Sequence, residues 1–249
     1  MTRFILSALI VLAAVRATPP ARTPVLLELF TSEGCSDCPP ADRLLAALDR
    51  TQPEPGVELI VLSEHVDYWN RDGWVDRFSS PQFSTRQQDY CERLRVDGPY
   101  TPQLVVDGHL QLVGSSGPNA KAAIDAAVKD PKIALAISQA SRDGNRVTAH
   151  VNVPAGQSAK GRTLDLYVAL ADTRDQSEVK RGENAGRSLE HVAVVRTLAR
   201  LGSVKTTEGI SKDVNVAVPA GAGANGLRLV VFLQEPNEGK VVGAAMASL

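Results

Sequence analysis

No apolar stretch in this sequence is long enough to cross a bilayer comfortably; the longest, Phe4 to Val15, is short, and nothing after it approaches that length. No cysteine comes directly after that run, so a lipoprotein anchor is not indicated. Lysine and arginine are scattered, with no basic stripe and a formal charge of −1, which argues against nucleic acid and anionic membrane as partners. Internal repeats and charge runs are missing. So are a Ser-His-Asp order, a nucleophile elbow, a zincin helix and a nucleotide loop; Pro219 to Gly226 is Gly-rich but lacks the lysine and strand context of a phosphate loop. Cysteine is scarce, at positions 35, 38 and 91 only. What is present is a globular composition, 43% hydrophobic and 22% charged, over 249 residues, enough for two domains.

Residues 1–17 read as a secretory signal: Arg3 gives a positive start, Phe4 to Val15 an apolar core, and Val15-Arg16-Ala17 small residues for cleavage. Loss of Arg3 and Arg16 takes the charge to −3. The expected location is periplasmic or secreted, with no membrane attachment after cleavage. In an oxidising compartment Cys35 and Cys38 can form a disulfide, and Cys91 is left over, either buried as a small apolar group or available to a partner.

The chain is organised around Val25 to Leu45. Val25-Leu26-Leu27-Glu28-Leu29-Phe30 suits a buried strand, Thr31 to Gly34 a turn, and Ala41, Leu44, Leu45 and Leu48 recur at helical spacing. Pro39 and Pro40 are tolerated only in a first helical turn. Cys35 and Cys38 therefore fall at a helix N-terminus, where free amides and the helix dipole favour a thiolate. A Cys-x-x-Cys between strand and helix is the thioredoxin-like redox arrangement.

After a break at Thr51 to Gly56, Val57 to Leu62 reads as a second, parallel strand. His65 and Asp67 follow it, so they belong on the same sheet edge as the cysteines. Ser79-Ser80-Pro81 marks the start of a helical insertion carrying Phe83, Gln87, Tyr90, Cys91 and Leu94. Leu104 to Val113 is a hairpin turning at Asp107-Gly108, and Asn119 to Lys129 a closing helix. From Pro131 on, seven strand candidates follow: Ile133 to Ala140, Arg146 to Val153, Leu164 to Leu170, His191 to Leu198, Val214 to Val218, Leu227 to Gln234 and Val241 to Ala245. The expected architecture is an α/β thioredoxin-like domain with a helical insertion over 24–130, followed by an all-β sandwich-like domain over 131–249.

Thr101-Pro102 precedes a strand, as the cis-proline does in thioredoxin-like proteins. More closely, four segments resemble a bacterial secreted family, domain of unknown function 1223: Leu27 to Asp42, His65-Val66-Asp67-Tyr68-Trp69-Asn70, Tyr100-Thr101-Pro102-Gln103 and Gly182-Glu183-Asn184-Ala185-Gly186-Arg187. That family carries no established activity, so the resemblance speaks to fold more than to reaction.

The leading functional expectation is a thiol-disulfide oxidoreductase acting on a protein or small thiol or disulfide substrate, with no cofactor. Cys35 would be the exposed attacking thiolate and Cys38 the buried resolving thiol. Asp37 and Glu33 disfavour a thiolate by like-charge repulsion, which makes the pair a mild oxidant at most, reductase- or isomerase-like. His65 and Asp67 are candidates for proton transfer near the thiols, against plainer roles in holding the edge loop and capping a turn. An alternative takes Cys35, Cys38 and His65 as ligands for Cu(I) or zinc. Another makes the first domain a non-catalytic scaffold for interactions of the second. Trp69 reads as packing, with a cleft-lining role as the alternative. Glu183, Asn184 and Arg187 either serve a turn or reach across to line the thiol cleft; the glycines flanking Glu183-Asn184-Ala185 suit a protruding turn.

Overall fold

The computed structural model describes residues 22–157 and 161–249; the signal segment expected at 1–17 lies outside them. Strand β1 (Thr23–Thr31) leads through the cysteine turn into α1 (Cys38–Thr51), then β2 (Val57–His65), α2 (Pro81–Leu94), β3 (Gln103–Val106), β4 (Leu110–Val113) and α3 (Gly117–Ala127). Seven strands complete the chain: β5 (Ala136–Asp143), β6 (Arg146–Val153), β7 (Thr163–Glu178), β8 (Ser188–Lys205), β9 (Ile210–Ala217), β10 (Leu227–Gln234) and β11 (Val241–Ser248).

Local chemistry accounts for the boundaries near the cysteines. Pro39 and Pro40 occupy the first turn of α1, where their missing N–H groups have no helical partner to lose. Ser80 caps α2, its hydroxyl accepting from the Gln82 amide at 3.2 Å, with Pro81 at the first position. The β3–β4 turn places both Asp107 (φ 46°) and Gly108 (φ 68°) in the left-handed region, and the His109 amide closes it on Val106 O at 3.2 Å. Helix α3 begins two residues before the expected Asn119, because Pro118 suits a first helical turn.

The expected pairing of an α/β thioredoxin-like domain with a separate all-β sandwich-like domain is not what forms. The chain is mostly β, 44% strand and 17% helix. One eight-stranded mixed sheet, ordered β11-β10-β7-β8-β2-β1-β3-β4, takes strands from both sides of residue 130, and β5-β6-β9 make a second, three-stranded sheet. Strands β1 and β2 are parallel through nine pairs, β1 and β3 antiparallel, and β8 joins β2 at a single parallel pair, Ser63 with Val194. The two apolar runs read as separate short strands, Leu164 to Leu170 and His191 to Leu198, are the middles of a hairpin with arms of 16 and 18 residues. That hairpin closes the open edge of β2, where unpaired amides and carbonyls would otherwise face solvent.

The core follows the sheet. Leu26, Leu27, Val61 and Leu62 pack in one buried cluster with Ala169, Val195, Phe232 and Ala244. A second cluster joins Val147, Val151 and Val214 of the small sheet to Leu166, Val168, Leu229 and Val231 of the large one. All eight residues of β10 are buried, which marks a strand covered on both faces and not half of a two-sheet shell.

Candidate functional site

Cys35 and Cys38 are joined as a disulfide at the start of α1, with their Cα atoms 5.4 Å apart. Neither is exposed: Cys35 shows 1% of its surface and Cys38 none. The expectation of an exposed Cys35 thus fails, and the tip of the β7–β8 hairpin is hydrogen-bonded to the backbone around it. Asn184, itself fully buried, donates through Nδ2 to the carbonyls of Glu33 (2.9 Å) and Cys35 (2.8 Å). The Ser36 amide donates to Glu183 Oε2 at 3.0 Å, and Arg187 donates to Asn184 Oδ1 at 2.9 Å from an exposed position. Gly182 has φ +76°, and a β-carbon there would meet Asp72 O and Trp74 Cβ at 3.3 Å. The tip is therefore seated on the first half of the chain, with no room for a larger residue at its base.

At the ends of β1 and β2, where Thr31 pairs with His65 just before the cysteine loop, lies a buried set of five titratable side chains: Glu33, Asp42, His65, Asp76 and His191. His65 Nδ1 is 2.7 Å from Asp76 Oδ2, the same oxygen that accepts from the Glu33 amide at 2.9 Å. The His65 and His191 rings meet edge to face at 4.7 Å. His191 stands between two carboxyl groups, with Nε2 3.6 Å from Glu33 Oε1 and Nδ1 3.7 Å from Asp42 Oδ2. Glu33 Oε2 accepts from Trp74 Nε1 at 2.7 Å, and Asp42 Oδ1 from the Thr31 hydroxyl at 2.9 Å. Among the described residues, His65 Nε2, Glu33 Oε1 and both His191 nitrogens have no hydrogen-bond partner.

The electrostatics divide this set. Burial drives the Asp42 carboxyl above its ordinary pKa, and the nearby histidines only partly offset that. Burial also opposes ionisation of Asp76, but His65 and the amides of Glu33 and Phe78 outweigh it and hold Asp76 low. Glu33 is likewise pushed up by burial and brought below its usual value by its neighbours, first His191, whose Nε2 stands 3.6 Å from Oε1. For His65, burial favours the neutral ring, while Asp76, Asp42 and Glu33 raise its pKa. The result is a charged His65–Asp76 pair beside an Asp42 carboxyl inclined to keep its proton.

Other expected residues fall elsewhere. Asp67 faces α2: its amide donates to Ser84 Oγ, whose hydroxyl donates back to Asp67 Oδ1 at 2.5 Å. That is the turn-holding role, so Asp67 is removed from the proton-transfer set. The Thr101–Pro102 bond is cis, and Thr101 Oγ1 accepts from Trp69 Nε1 at 2.8 Å. Trp69 in turn lies under Gly34, where a β-carbon would meet Trp69 Cβ at 3.1 Å. A metal set of Cys35, Cys38 and His65 would need free thiolates, whereas here the sulfurs bond each other and His65 Nδ1 is held by Asp76. Among the described residues no group of three or more His, Cys, Asp or Glu is arranged to hold an ion.

Three of the five buried groups had little or no place in the sequence reading. Asp42 lies one helical turn after Cys38, and that i, i+4 spacing was the available signal. His191 follows the inward Leu189 at strand spacing, as β8's burial alternates. Asp76 carries no such signal. Two clefts flank this region. One of about 230 Å³ is lined by Pro39, Asp42, Arg43 and Glu190, the other, about 340 Å³, by Arg50, Arg174, Asp175 and His191. Asp175 is pushed up to about 6 by burial and by hydrogen bonding to Asp172.

The pattern of the family described as "Protein of unknown function (DUF1223)" matches residues 26–234. Among solved structures, protein AGR_C_4864 from Agrobacterium tumefaciens is similar at TM-score 0.67 and 25% identity, over 90% of this chain and 94% of its own. HBP35 of Porphyromonas gingivalis also reaches a TM-score of 0.67, at 15% identity over 93% of this chain and 77% of its own, a likeness of fold alone. Comparison with curated proteins finds no match.

Proposed function

The chain belongs to the DUF1223 family of proteins of unknown function, and we propose that it is an exported thiol-disulfide oxidoreductase whose working pair is Cys35 and Cys38. The observation that carries this is the desolvated acid–histidine set gathered at the base of the loop that bears the disulfide. A disulfide that only fastened a helix start would need no such neighbour, and burying each of these groups opposes folding unless it is paired. Perturbed titratable groups concentrated at a reactive bond are the signature of a functional site.

The chemistry is an exchange with a substrate dithiol. One substrate thiolate attacks Cys35 Sγ, the Cys35–Cys38 bond breaks, and Cys38 leaves as a thiolate. Asp42, one helical turn away on the same face, is placed to give that thiolate a proton. The second substrate thiolate then attacks the mixed disulfide, releasing oxidised substrate and the Cys35 thiolate. Two electrons pass from the dithiol to the protein; run backward, the reduced pair opens a substrate disulfide. Because both sulfurs are buried and the hairpin tip is pinned to the Cys35 backbone, substrates must be small or extended, or must displace the tip.

Reduction of insulin and refolding of a scrambled disulfide substrate test this directly. Wild type should catalyse one or both, and Cys35→Ser should abolish it. Absence of exchange between wild type and every dithiol tried rejects the enzyme reading.

A further inference from the structure

We infer that Glu183, on the tip of the β7–β8 hairpin, sets the redox poise of the Cys35–Cys38 pair from outside its own segment. The inference rests on the oxidoreductase reading for its use, although the equilibrium concerned can be measured without it.

A cysteine thiolate at a helix start is stabilised by N–H groups that the helix leaves unpaired. Here most of them are missing or engaged. Pro39 and Pro40 have none to offer. The Cys38 amide donates to Cys35 O at 3.3 Å and the Cys35 amide to Ser32 O at 3.2 Å. Gly34 donates to Ser32 Oγ at 3.1 Å and Glu33 to Asp76 Oδ2 at 2.9 Å. Ser36, the residue directly after Cys35, also has its amide taken, but by a side chain nearly 150 positions away: Glu183 Oε2 at 3.0 Å.

Glu183 acts on a Cys35 thiolate twice over. Its carboxylate occupies a donor adjacent to the sulfur's own residue, and it sets a negative charge beside the place where a second one must form. The Ser36 hydrogen bonds hold the Glu183 carboxyl below its ordinary value, so it is charged at neutral pH. Its position is not incidental, since the next residue is the buried Asn184 that anchors the tip to Glu33 and Cys35. Both effects disfavour the thiolate, hence the dithiol form, and make the disulfide harder to reduce.

The test is redox equilibration of the full chain with mixtures of oxidised and reduced dithiothreitol, the reduced fraction being read by alkylation and mass shift. Glu183→Ala frees the Ser36 amide and removes the charge. The equilibrium should move toward the dithiol by about two- to five-fold at low salt, the range for one charge at a helix terminus. Because Glu183 is exposed, the shift should shrink in ~1 M salt, where screening is short-ranged. Glu183→Gln keeps an acceptor but not the charge, and should move less. Identical equilibrium constants for wild type and Glu183→Ala at low salt overturn the inference, even if catalysis is intact. A shifted constant in a protein that turns over no substrate overturns the oxidoreductase reading and leaves the role of Glu183 standing.

Discussion

Removing the Asn184 amide should unlock the disulfide without unfolding the protein. In Asn184→Ala the carbonyls of Glu33 and Cys35 lose donors at 2.9 and 2.8 Å, and Arg187 loses its acceptor at 2.9 Å. An unsatisfied buried polar group costs about 1–3 kcal/mol. Only the lower part of a doubled figure applies, because Cys35 O also accepts from the Cys38 amide at 3.3 Å. Taking about 1–3 kcal/mol for the whole change, the open state of the tip gains roughly 5- to 150-fold in population. Since Cys35 and Cys38 are 1% and 0% exposed, reduction by dithiothreitol under native conditions must pass through an open state. Its pseudo-first-order rate should rise by a similar factor, while the urea midpoint moves much less than global unfolding would require. A rate within twofold of wild type would mean that the sulfurs are reached by a route that does not involve the hairpin tip.

Other predictions concern the buried acid–histidine set. Asp42→Asn should slow exchange, because the variant has no acidic proton to give Cys38, and should lift stability at pH values above the raised pKa of Asp42. The sign follows from the raised pKa of Asp42: its contribution is intact below the unfolded value of ~3.9 and fades as pH rises through the folded value. A wild-type-like stability-versus-pH curve in Asp42→Asn contradicts this. Breaking the His65–Asp76 pair with His65→Ala should destabilise the fold by about 3–5 kcal/mol in urea titration, as an unpaired charge is left buried. In wild type, Asp76's share of the pair energy should vanish as pH falls through its lowered pKa, and His65's as pH rises through its raised one. The variant should show neither change, and a variant that keeps both places the titrating groups elsewhere.

Sequence reasoning reached what local chemistry decides. The strand–turn–helix around Cys35, the start of α2 at Ser80-Pro81 and the Asp107-Gly108 turn are each dictated by residues within a few positions of one another. Strand partnership is different, because it is a choice among distant segments that all look alike in their own windows. Seven strands were recognisable after residue 131, yet nothing in Leu227 to Gln234 says that it lies beside β7 in the same sheet as β1. The unbroken apolar run Leu229 to Leu233 says only that this strand is covered on both faces, since a strand with a solvent face alternates. The site shows the same division. Cys35 and Cys38 are a local motif, whereas Asp76 and His191 acquire meaning only through contacts that cross the chain.

Polar contacts as well as apolar packing hold the two halves together. Arg86, on α2, donates to Glu28 Oε1 of β1 at 2.8 Å and to Gln234 Oε1 of β10 at 3.1 Å. The Tyr90 hydroxyl donates to Glu28 Oε2 at 2.6 Å and accepts from Gln234 Nε2 at 2.9 Å. Glu64, beside them, is held well above its ordinary pKa by burial and by Glu28. Nearer the surface, Arg228 of β10 grips Asp49 of α1 with two bonds, 2.6 and 2.7 Å long. Buried networks of this kind are costly when incomplete, so they fix one arrangement of the elements that supply them. Here those elements are β1, α1, α2 and β10, and each belongs to the sheet, or packs on the sheet, that carries the Cys35–Cys38 loop and the hairpin above it. The hairpin tip pinned to the Cys35 backbone is therefore positioned by the whole molecule, and a substitution at Arg86 or Gln234 can reach the redox site only by shifting that common frame.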